Sequence, residues 1–146
     1  MVVDNLATRF LESINPSAKF YKMSICDAEV SNVFEQEKPE VITHQAAQMV
    51  ITKSLDDPIF DARENILGSL NFILNRVRSG VRRIIYTSSG GANYREPYYL
   101  PVDKNHPINP ISPYGISKHT VEHYLHLYSL QYGLNYVVPR YPNVYG

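Results

Sequence analysis

The sequence predicts an α/β fold built on a doubly wound parallel sheet. Short apolar runs alternate along the chain with longer segments whose apolar residues repeat at helical spacing, which is the pattern of such folds. Several of the apolar runs end in small or polar residues, as strands do where they deliver side chains to a sheet edge. The predicted strands are 1–3, 20–25, 39–43, 81–87 and 135–141, and the predicted helices are 30–37, 58–78 and 114–132.

The ends of these helices are marked by residues that start or stop a helix. Asp27 can cap the first helix, and Pro58 fits the first turn of the second. Gly80 and Gly133 follow the two long helices and favour left-handed caps. Five prolines make the segment 96–113 a loop.

The last two predicted strands differ in how well their residues suit a β-strand. The run 81–87 is rich in β-branched and aromatic residues, as a buried strand requires. Pro139 lies inside the final strand, where proline cannot donate a ladder hydrogen bond, and the sequence alone gives no reason for it.

The helix 58–78 carries an unusually wide apolar stripe. A stripe of this width predicts burial on two sides, although simple core packing within one chain also accounts for it. Its members are Ile59, Phe60, Ala62, Ile66, Leu67, Leu70, Ile73, Leu74 and Val77.

Composition excludes several function classes. The chain has 146 residues, enough for one domain with a core, and its 14 basic and 14 acidic residues leave no net charge or basic stripe for nucleic acid. The single cysteine, Cys26, cannot form an internal disulfide and fits a reducing compartment. No apolar run is long enough to span a bilayer, and the start does not resemble a signal peptide. We therefore expect a cytoplasmic protein without nucleic-acid or membrane partners.

The main chemical signal is a tyrosine followed four residues later by a lysine. This spacing puts Tyr114 and Lys118 on one face of a helix, about one turn apart. A lysine ammonium beside a phenol favours the phenolate, and a hydroxyl such as Ser89 could share an alcohol oxygen with it. The set can move a proton on and off an alcohol, but the accompanying hydride needs a nicotinamide cofactor.

A second pattern lies one turn further along the same helix. The run His119-Thr120-Val121-Glu122-His123 matches a short zinc-peptidase motif, and His126 shares its helical face. Short motifs without their structural context have a high false-positive rate. We interpret the run as a polar helix face and predict no metal site.

Six segments in order resemble the extended short-chain dehydrogenase/reductase family, in particular nucleotide-sugar 4-epimerases of the UDP-glucose 4-epimerase type. The resemblance covers nearly the whole chain. The segments are Val3 to Leu6, His44 to Gln48, Asn65 to Gly68, Thr87 to Gly91, Tyr114 to Lys118 and Arg140 to Gly146.

The resemblance implies that residues 1–146 form a partial Rossmann-like NAD-binding domain. A first strand and its glycine-rich loop are not found before Val2, and the C-terminal substrate domain of the family is absent after Gly146. The family's first strand lies mid-sheet, so we expect two neighbouring strands to be left with unpaired edges.

The resemblance also assigns roles to residues. It implies that Ser89, Tyr114 and Lys118 are catalytic, and that Ser89, Tyr114 and Asn143 contact a UDP-sugar substrate. The implied contacts with NAD are Asp4, Asn5, Ser24, Ile25, Ala46, Ala47, Asn65, Thr87, Ser88, Tyr114, Lys118 and Tyr141. From the residues alone, Asp4 and Asn5 are equally well explained as turn formers at a strand end.

The function implied is NAD-dependent epimerisation of a nucleotide sugar by reversible hydride transfer at C4, in a homodimer joined through helices 58–78 and 114–132. A non-catalytic truncated remnant, or a dimerising interaction protein, is the alternative, and whether this chain is itself an active enzyme is left open. A 4,6-dehydratase is disfavoured because Gly90 and Gly91 stand where that class has an Asp-Glu pair. A reductase is also compatible with the residues.

Overall fold

The structure is a computed structural model that describes residues 1–8, 10–94 and 96–142, without the side chains of 76–78. Seven strands and six α-helices are present in these residues. The strands are β1 (Val2–Asp4), β2 (Phe20–Lys22), β3 (Val41–His44), β4 (Arg83–Tyr86), β5 (Ser88–Ser89), β6 (Asn135–Val137) and β7 (Arg140–Tyr141). The helices are α1 (Val30–Glu37), α2 (Ile51–Asp56), α3 (Pro58–Ala62), α4 (Gly68–Ser79), α5 (Gly90–Tyr94) and α6 (Pro113–Tyr132).

Every strand pairing is parallel, which confirms the predicted fold class. β1 pairs with β2, β4 lies between β3 and β6, and β5 pairs with β7. Within the described residues β1 and β3 are not hydrogen-bonded to each other, so each has the unpaired edge that the sequence predicted. The carboxyl ends of β3, β4 and β5 point the same way and gather their following loops at one edge.

One apolar core joins the sheet to the helices. Its fully or nearly fully buried members are Ile25, Val30, Phe34, Ile42, Phe72, Ile73, Val81, Ile84, Tyr86, Val121, Leu125 and Leu134. Gly68 is required for this packing, because a Cβ there would meet the Ile25 side chain at 2.7 Å. Among the described residues no helix is both long and apolar enough to cross a membrane.

The predicted second and last strands are shorter than the sequence suggested. β2 ends at Lys22 because the chain then turns, with the Ser24 N–H donating to Asp27 Oδ2 and the Cys26 N–H to Ser24 Oγ. The predicted strand 135–141 is divided into β6 and β7. Pro139 lies in the gap, outside both strands, so no ladder donor is needed there. Its carbonyl accepts from the Ser88 N–H at 2.9 Å.

The predicted helix 58–78 is a composite. α3 and α4 are joined by a π-helical turn, Arg63–Leu67, whose 68→63 backbone bond is characteristic of that geometry. The residues facing inward are not only apolar, since Asp61, Asn65 and Ser69 are buried. Several members of the predicted stripe instead face outward, namely Ile59, Leu67 and Leu74.

Candidate active site

The first turn of α6 is fixed by its cap and by a close contact. Ser112 Oγ accepts from the Gly115 N–H at 3.1 Å, and Pro113 occupies the first helical position. A Cβ on Gly115 would lie 2.8 Å from the Ala92 carbonyl oxygen, so glycine lets α6 approach α5. This contact holds Tyr114 beside the residues that follow β5.

Lys118 is buried and anchored to the end of β4. Its Nζ donates to the Thr87 carbonyl oxygen at 2.9 Å and lies 4.9 Å from the Tyr86 ring centroid and 6.0 Å from that of Tyr114. Burial lowers the pKa of Lys118 to about 8, while the Asp61 carboxylate opposes the fall. The structure therefore brings Tyr114, Lys118 and Thr87 together as the sequence predicted.

The electrostatics of Tyr114 differ from the prediction. Burial raises the pKa of the Tyr114 phenol, and the neighbouring Ser89 hydroxyl opposes that rise. The sequence led us to expect Lys118 to lower this pKa. In the structure the ammonium is directed at the Thr87 carbonyl, and desolvation of the phenol is the largest influence on its pKa.

The two serines of β5 have different surroundings. Ser88 is buried, and its hydroxyl donates to Glu122 Oε1 at 2.6 Å. Ser89 Oγ accepts from the Ala92 N–H at 3.2 Å, and its hydroxyl lies near Tyr114. Tyr141 is the strand partner of Ser89 across the β5–β7 ladder. Ser89 is therefore the hydroxyl available at the site, whereas Ser88 is held within the protein.

Glu122 is the centre of a polar network behind β5, which the sequence did not reveal because it predicted only a polar helix face. Besides Ser88, its carboxylate accepts from Asn93 Nδ2 at 3.0 Å and from Arg140 Nη2 at 2.5 Å. Arg140 in turn donates to the Tyr94 hydroxyl. The Arg140 guanidinium and the Ser88 hydroxyl outweigh desolvation and lower the pKa of Glu122. The network ties α6, α5 and β7 to the strand that carries Ser89.

A second network lies behind the segment that follows β3. Asp61 is 0 % exposed and accepts from Asn65 Nδ2 at 2.9 Å, Gln48 Nε2 at 3.1 Å and the Ser117 hydroxyl at 2.6 Å. The Asn65 side chain also forms two hydrogen bonds with the backbone of Gln48, accepting from its N–H and donating to its carbonyl. A polar residue at every fourth position, 61, 65 and 69, was the sequence signal that could have revealed this face.

The same network accounts for several predicted NAD contacts. Both amide hydrogens of Asn65 are used within the protein, so Asn65 holds the chain next to Ala46 and Ala47 in place. The two alanines are half-buried, and Ala46 packs on the core. Contact of any of the three with a cofactor stays a prediction.

His44 ends β3 in the core and fits a structural role. Its Nε2 bonds to Ser69 Oγ at 2.8 Å, and its ring stacks on Phe72. The Ser69 hydroxyl donates to the Asn65 carbonyl, so the proton of the first bond belongs to His44 Nε2. Burial lowers the pKa of His44 to about 3.

The remaining predicted contacts with NAD and substrate lie near the two ends of the chain. Asp4 and Asn5 end β1 and each accepts from a backbone N–H two residues on, which is the turn-forming role that the sequence also allowed. Ser24 forms the turn after β2, and the Ile25 carbonyl accepts from Asn71 Nδ2. Asn143, the predicted substrate contact, lies outside the described residues.

Comparisons with known proteins agree with this arrangement. The model of the NAD dependent epimerase/dehydratase family matches residues 1–146. A putative UDP-glucose 4-epimerase of Methanocaldococcus jannaschii is 44% identical over 146 residues, 100% of this chain and 48% of that protein.

Two solved structures are also similar. The UDP-glucose 4-epimerase of Thermotoga maritima, crystallised with UDP-glucose, has a TM-score of 0.96 at 42% identity, over 99% of this chain and 47% of that one. The Thermus thermophilus UDP-glucose 4-epimerase complex with NAD has a TM-score of 0.95 at 38% identity, over 99% and 47%. The chain spans about half the length of the relatives it matches. With its parallel fold and a family match along its full length, the chain belongs to the NAD dependent epimerase/dehydratase family.

Proposed function

We propose that this chain carries the catalytic residues of an NAD-dependent UDP-sugar 4-epimerase. The observation that supports this most is the meeting of Ser89, Tyr114 and Lys118 at the carboxyl edge of the sheet, in a chain whose solved relatives are UDP-glucose 4-epimerases. Residues 1–146 would be the NAD-binding part of the enzyme. A cytoplasmic location is part of the proposal and rests on the free thiol of Cys26.

The residues at this edge fit NAD by their chemistry. A carboxylate and an amide, Asp4 and Asn5, end β1, where dinucleotide-binding folds hold the adenosine ribose. Ala46 and Ala47 allow close backbone approach, and the Lys118 ammonium uses one of its donors on Thr87. When bound, NAD would accept a hydride from the sugar C4 and return it.

In the proposed mechanism the chain's own residues handle the proton. Tyr114 takes the proton of the sugar 4-hydroxyl and returns it after the keto sugar has turned over, while the Ser89 hydroxyl shares the same oxygen. Because burial raises the pKa of Tyr114, removing its proton needs a nearby positive charge. The Lys118 ammonium, 6.0 Å from the ring centroid, is the available one.

The first test is an NAD titration of the 146-residue chain, read by tyrosine fluorescence and thermal shift. Saturable binding with a raised melting temperature is expected, and an Asp4→Ala variant should bind more weakly. An assay with UDP-galactose follows if NAD binds. Absence of binding would mean that the function belongs to a longer protein that carries this part, or that the non-catalytic alternative holds.

The second test is Tyr114→Phe in a complete protein carrying this core. The variant should lower kcat by on the order of 1000-fold, because general acid–base catalysis is lost, and should leave the NAD affinity unchanged. A turnover rate equal to that of the wild type would rule out the proposed role of Tyr114.

We also propose that two copies associate through helices 58–78 and 114–132. Both carry large apolar side chains in solvent, among them Ile59 at 76% and Leu130 at 72% exposure. Covering them would stabilise a dimer by the hydrophobic effect. Light scattering should give twice the chain mass, and Leu67→Asp should give the monomer. A dimer that does not bind NAD would favour an interaction protein over an enzyme.

A further inference from the structure

Two histidines on α6 face each other across one helical turn. The Nε2 atoms of His119 and His123 are hydrogen-bonded to each other at 3.1 Å, and their ring centroids are separated by 4.5 Å. Neither residue has a part in the proposed epimerase chemistry. We propose that His119 and His123 chelate one divalent transition-metal ion of the Cu²⁺, Ni²⁺ or Zn²⁺ type through these two nitrogens.

The spacing of the two nitrogens suits such an ion. Imidazole nitrogens bind zinc at about 2.0–2.1 Å, and two nitrogens 3.1 Å apart then subtend roughly 100° at the metal. This angle lies between the ideal values of square-planar and tetrahedral geometry. Histidines at positions i and i+4 of a helix are a known way to place two imidazoles on one metal. The ion would replace the hydrogen bond between the two nitrogens, so the proton of that bond must move to the other nitrogen of its ring or to water.

A carboxylate lies behind the ring of His119. Its Nδ1 is buried, has no hydrogen-bond partner among the described residues, and lies 3.6 Å from Glu122 Oε2. A metal-binding histidine usually donates its other ring N–H to such a carboxylate. With the proton on Nδ1, the lone pair of His119 Nε2 faces His123. Glu122 would thus act as the outer partner of the metal site.

The surroundings of the two histidines indicate how an ion can enter and which ions are favoured. The pair opens into a cavity of about 310 Å³, and His123 is exposed, so an ion can enter from solvent. The charge of Glu122 is balanced by Arg140, which leaves imidazole nitrogen as the main ligand and disfavours Mg²⁺ and Ca²⁺. His126 is directed at the Tyr136 hydroxyl, 3.5 Å from its Nδ1.

The site differs from the zinc-peptidase pattern considered in the sequence. In the part of the chain that the structure describes, no group of three or more His, Cys, Asp or Glu side chains is placed to hold a metal. The proposed site has two protein ligands, and water would complete the coordination. The ion would therefore bind reversibly and have no catalytic role, and the proposal departs from the sequence-based prediction of no metal site.

The test is a Cu²⁺ titration of the 146-residue chain. Calorimetry measures the stoichiometry and affinity, and electron paramagnetic resonance counts the nitrogen ligands. We expect one ion per chain with two imidazole nitrogens in its coordination plane. His119→Gln and His123→Gln should each weaken binding on the order of 100-fold, because the second ligand acts intramolecularly. His126→Gln, on the same helix, is the matched control and should retain the affinity.

Glu122→Gln tests the outer partner and should weaken binding by about tenfold. Its folding is checked by circular dichroism, and if it does not fold, the exposed His123→Gln variant still decides. The proposal is overturned if His123→Gln binds as tightly as the wild type, or if the spectrum reports a single nitrogen in the unmodified chain. Failure of the NAD titration would leave this result unaffected.

Discussion

Lys118 lies between two polar networks that are built differently. One residue before it, Ser117 reaches Asp61, a carboxylate held by neutral donors and without a salt bridge among the described residues. Four residues after it, Glu122 is held by the guanidinium of Arg140. The first network fixes the chain after β3, and the second fixes the strand that carries the serines.

The difference shows that a buried carboxylate can be stabilised in two ways. Asp61 depends on three hydrogen bonds and is fully buried, so its charge is tolerated only while each donor is in place. Glu122, whose side chain is 10% exposed, has a cation beside it and loses less when one neutral donor is removed. We expect the first network to be the more brittle of the two.

The largest effect is expected for Asp61→Ala. It leaves the donors of Asn65, Gln48 and Ser117 buried without an acceptor, at a cost of about 4 kcal/mol in the free energy of unfolding. Urea denaturation of the chain measures this change. Asp61→Asn, which keeps the shape and one acceptor, is the control and should lose about half as much. A loss below about 1 kcal/mol in the alanine variant would contradict the proposed brittleness.

Arg140→Met should be the next most damaging change. It leaves the Glu122 carboxylate without its cation in a mostly buried place, and a loss of about 2–3 kcal/mol follows. Arg140→Lys keeps the charge but cannot reproduce the two contacts of the guanidinium, so an intermediate value is expected from the same urea experiment. Equal losses in the two variants would show that the positive charge is unimportant.

A matched pair of serines compares the networks directly. Ser117 and Ser88 each donate to a carboxylate oxygen at 2.6 Å, so the two hydrogen bonds have the same length. Ser117→Ala should cost about 2 kcal/mol and Ser88→Ala about 1 kcal/mol, because Glu122 has a direct salt bridge to Arg140 and Asp61 has none among the described residues. The reverse order in thermal or urea unfolding would refute the comparison.

The smallest effect is a dependence on pH that enters through His44, which joins the first network by way of Ser69. Its pKa is about 3 in the folded chain and about 6.5 when unfolded, so only the unfolded state gains a proton between these values. Stability is therefore full only well above pH 6.5, where neither state is protonated, and falls by about 1 kcal/mol between pH 6.5 and 5.5.

The control for this prediction is His44→Gln, which keeps a hydrogen bond to Ser69 and does not titrate. Its free energy of unfolding, measured in urea at several pH values, should change less over the same range. Parallel pH profiles for the wild type and the variant would mean that His44 is not the source.

The sequence predicted the features that local chemistry controls. α1 and α6 have nearly the predicted bounds, and Gly80 and Gly133 have the positive φ angles of left-handed caps. Tyr114 and Lys118 share a helix face because their spacing alone requires it. α2 was missed, since six residues are too few for a helical period to be recognised.

Features that depend on partners far along the chain could not be predicted. Asp61 and Ser117 are 56 residues apart, and Ser88 and Glu122 are 34 apart, so no local pattern joins them. Pro139 is accommodated because it lies between β6 and β7, and no local pattern predicts where the strand divides. The pKa of Tyr114 depends on burial, which follows from tertiary packing and not from the nearby lysine alone.

The π-helical turn at Arg63–Leu67 has a consequence for how this part of the gene can change in length. The turn absorbs one extra residue. Asp61 and Ile73 are twelve positions apart, which would place them about 120° apart on a regular α-helix, yet both are buried. Deleting one residue within the turn would leave eleven positions, about 20° apart on a regular α-helix, so both side chains would still face inward. A single-codon deletion at the turn therefore keeps the register of α3 and α4, whereas a deletion inside either regular helix would not.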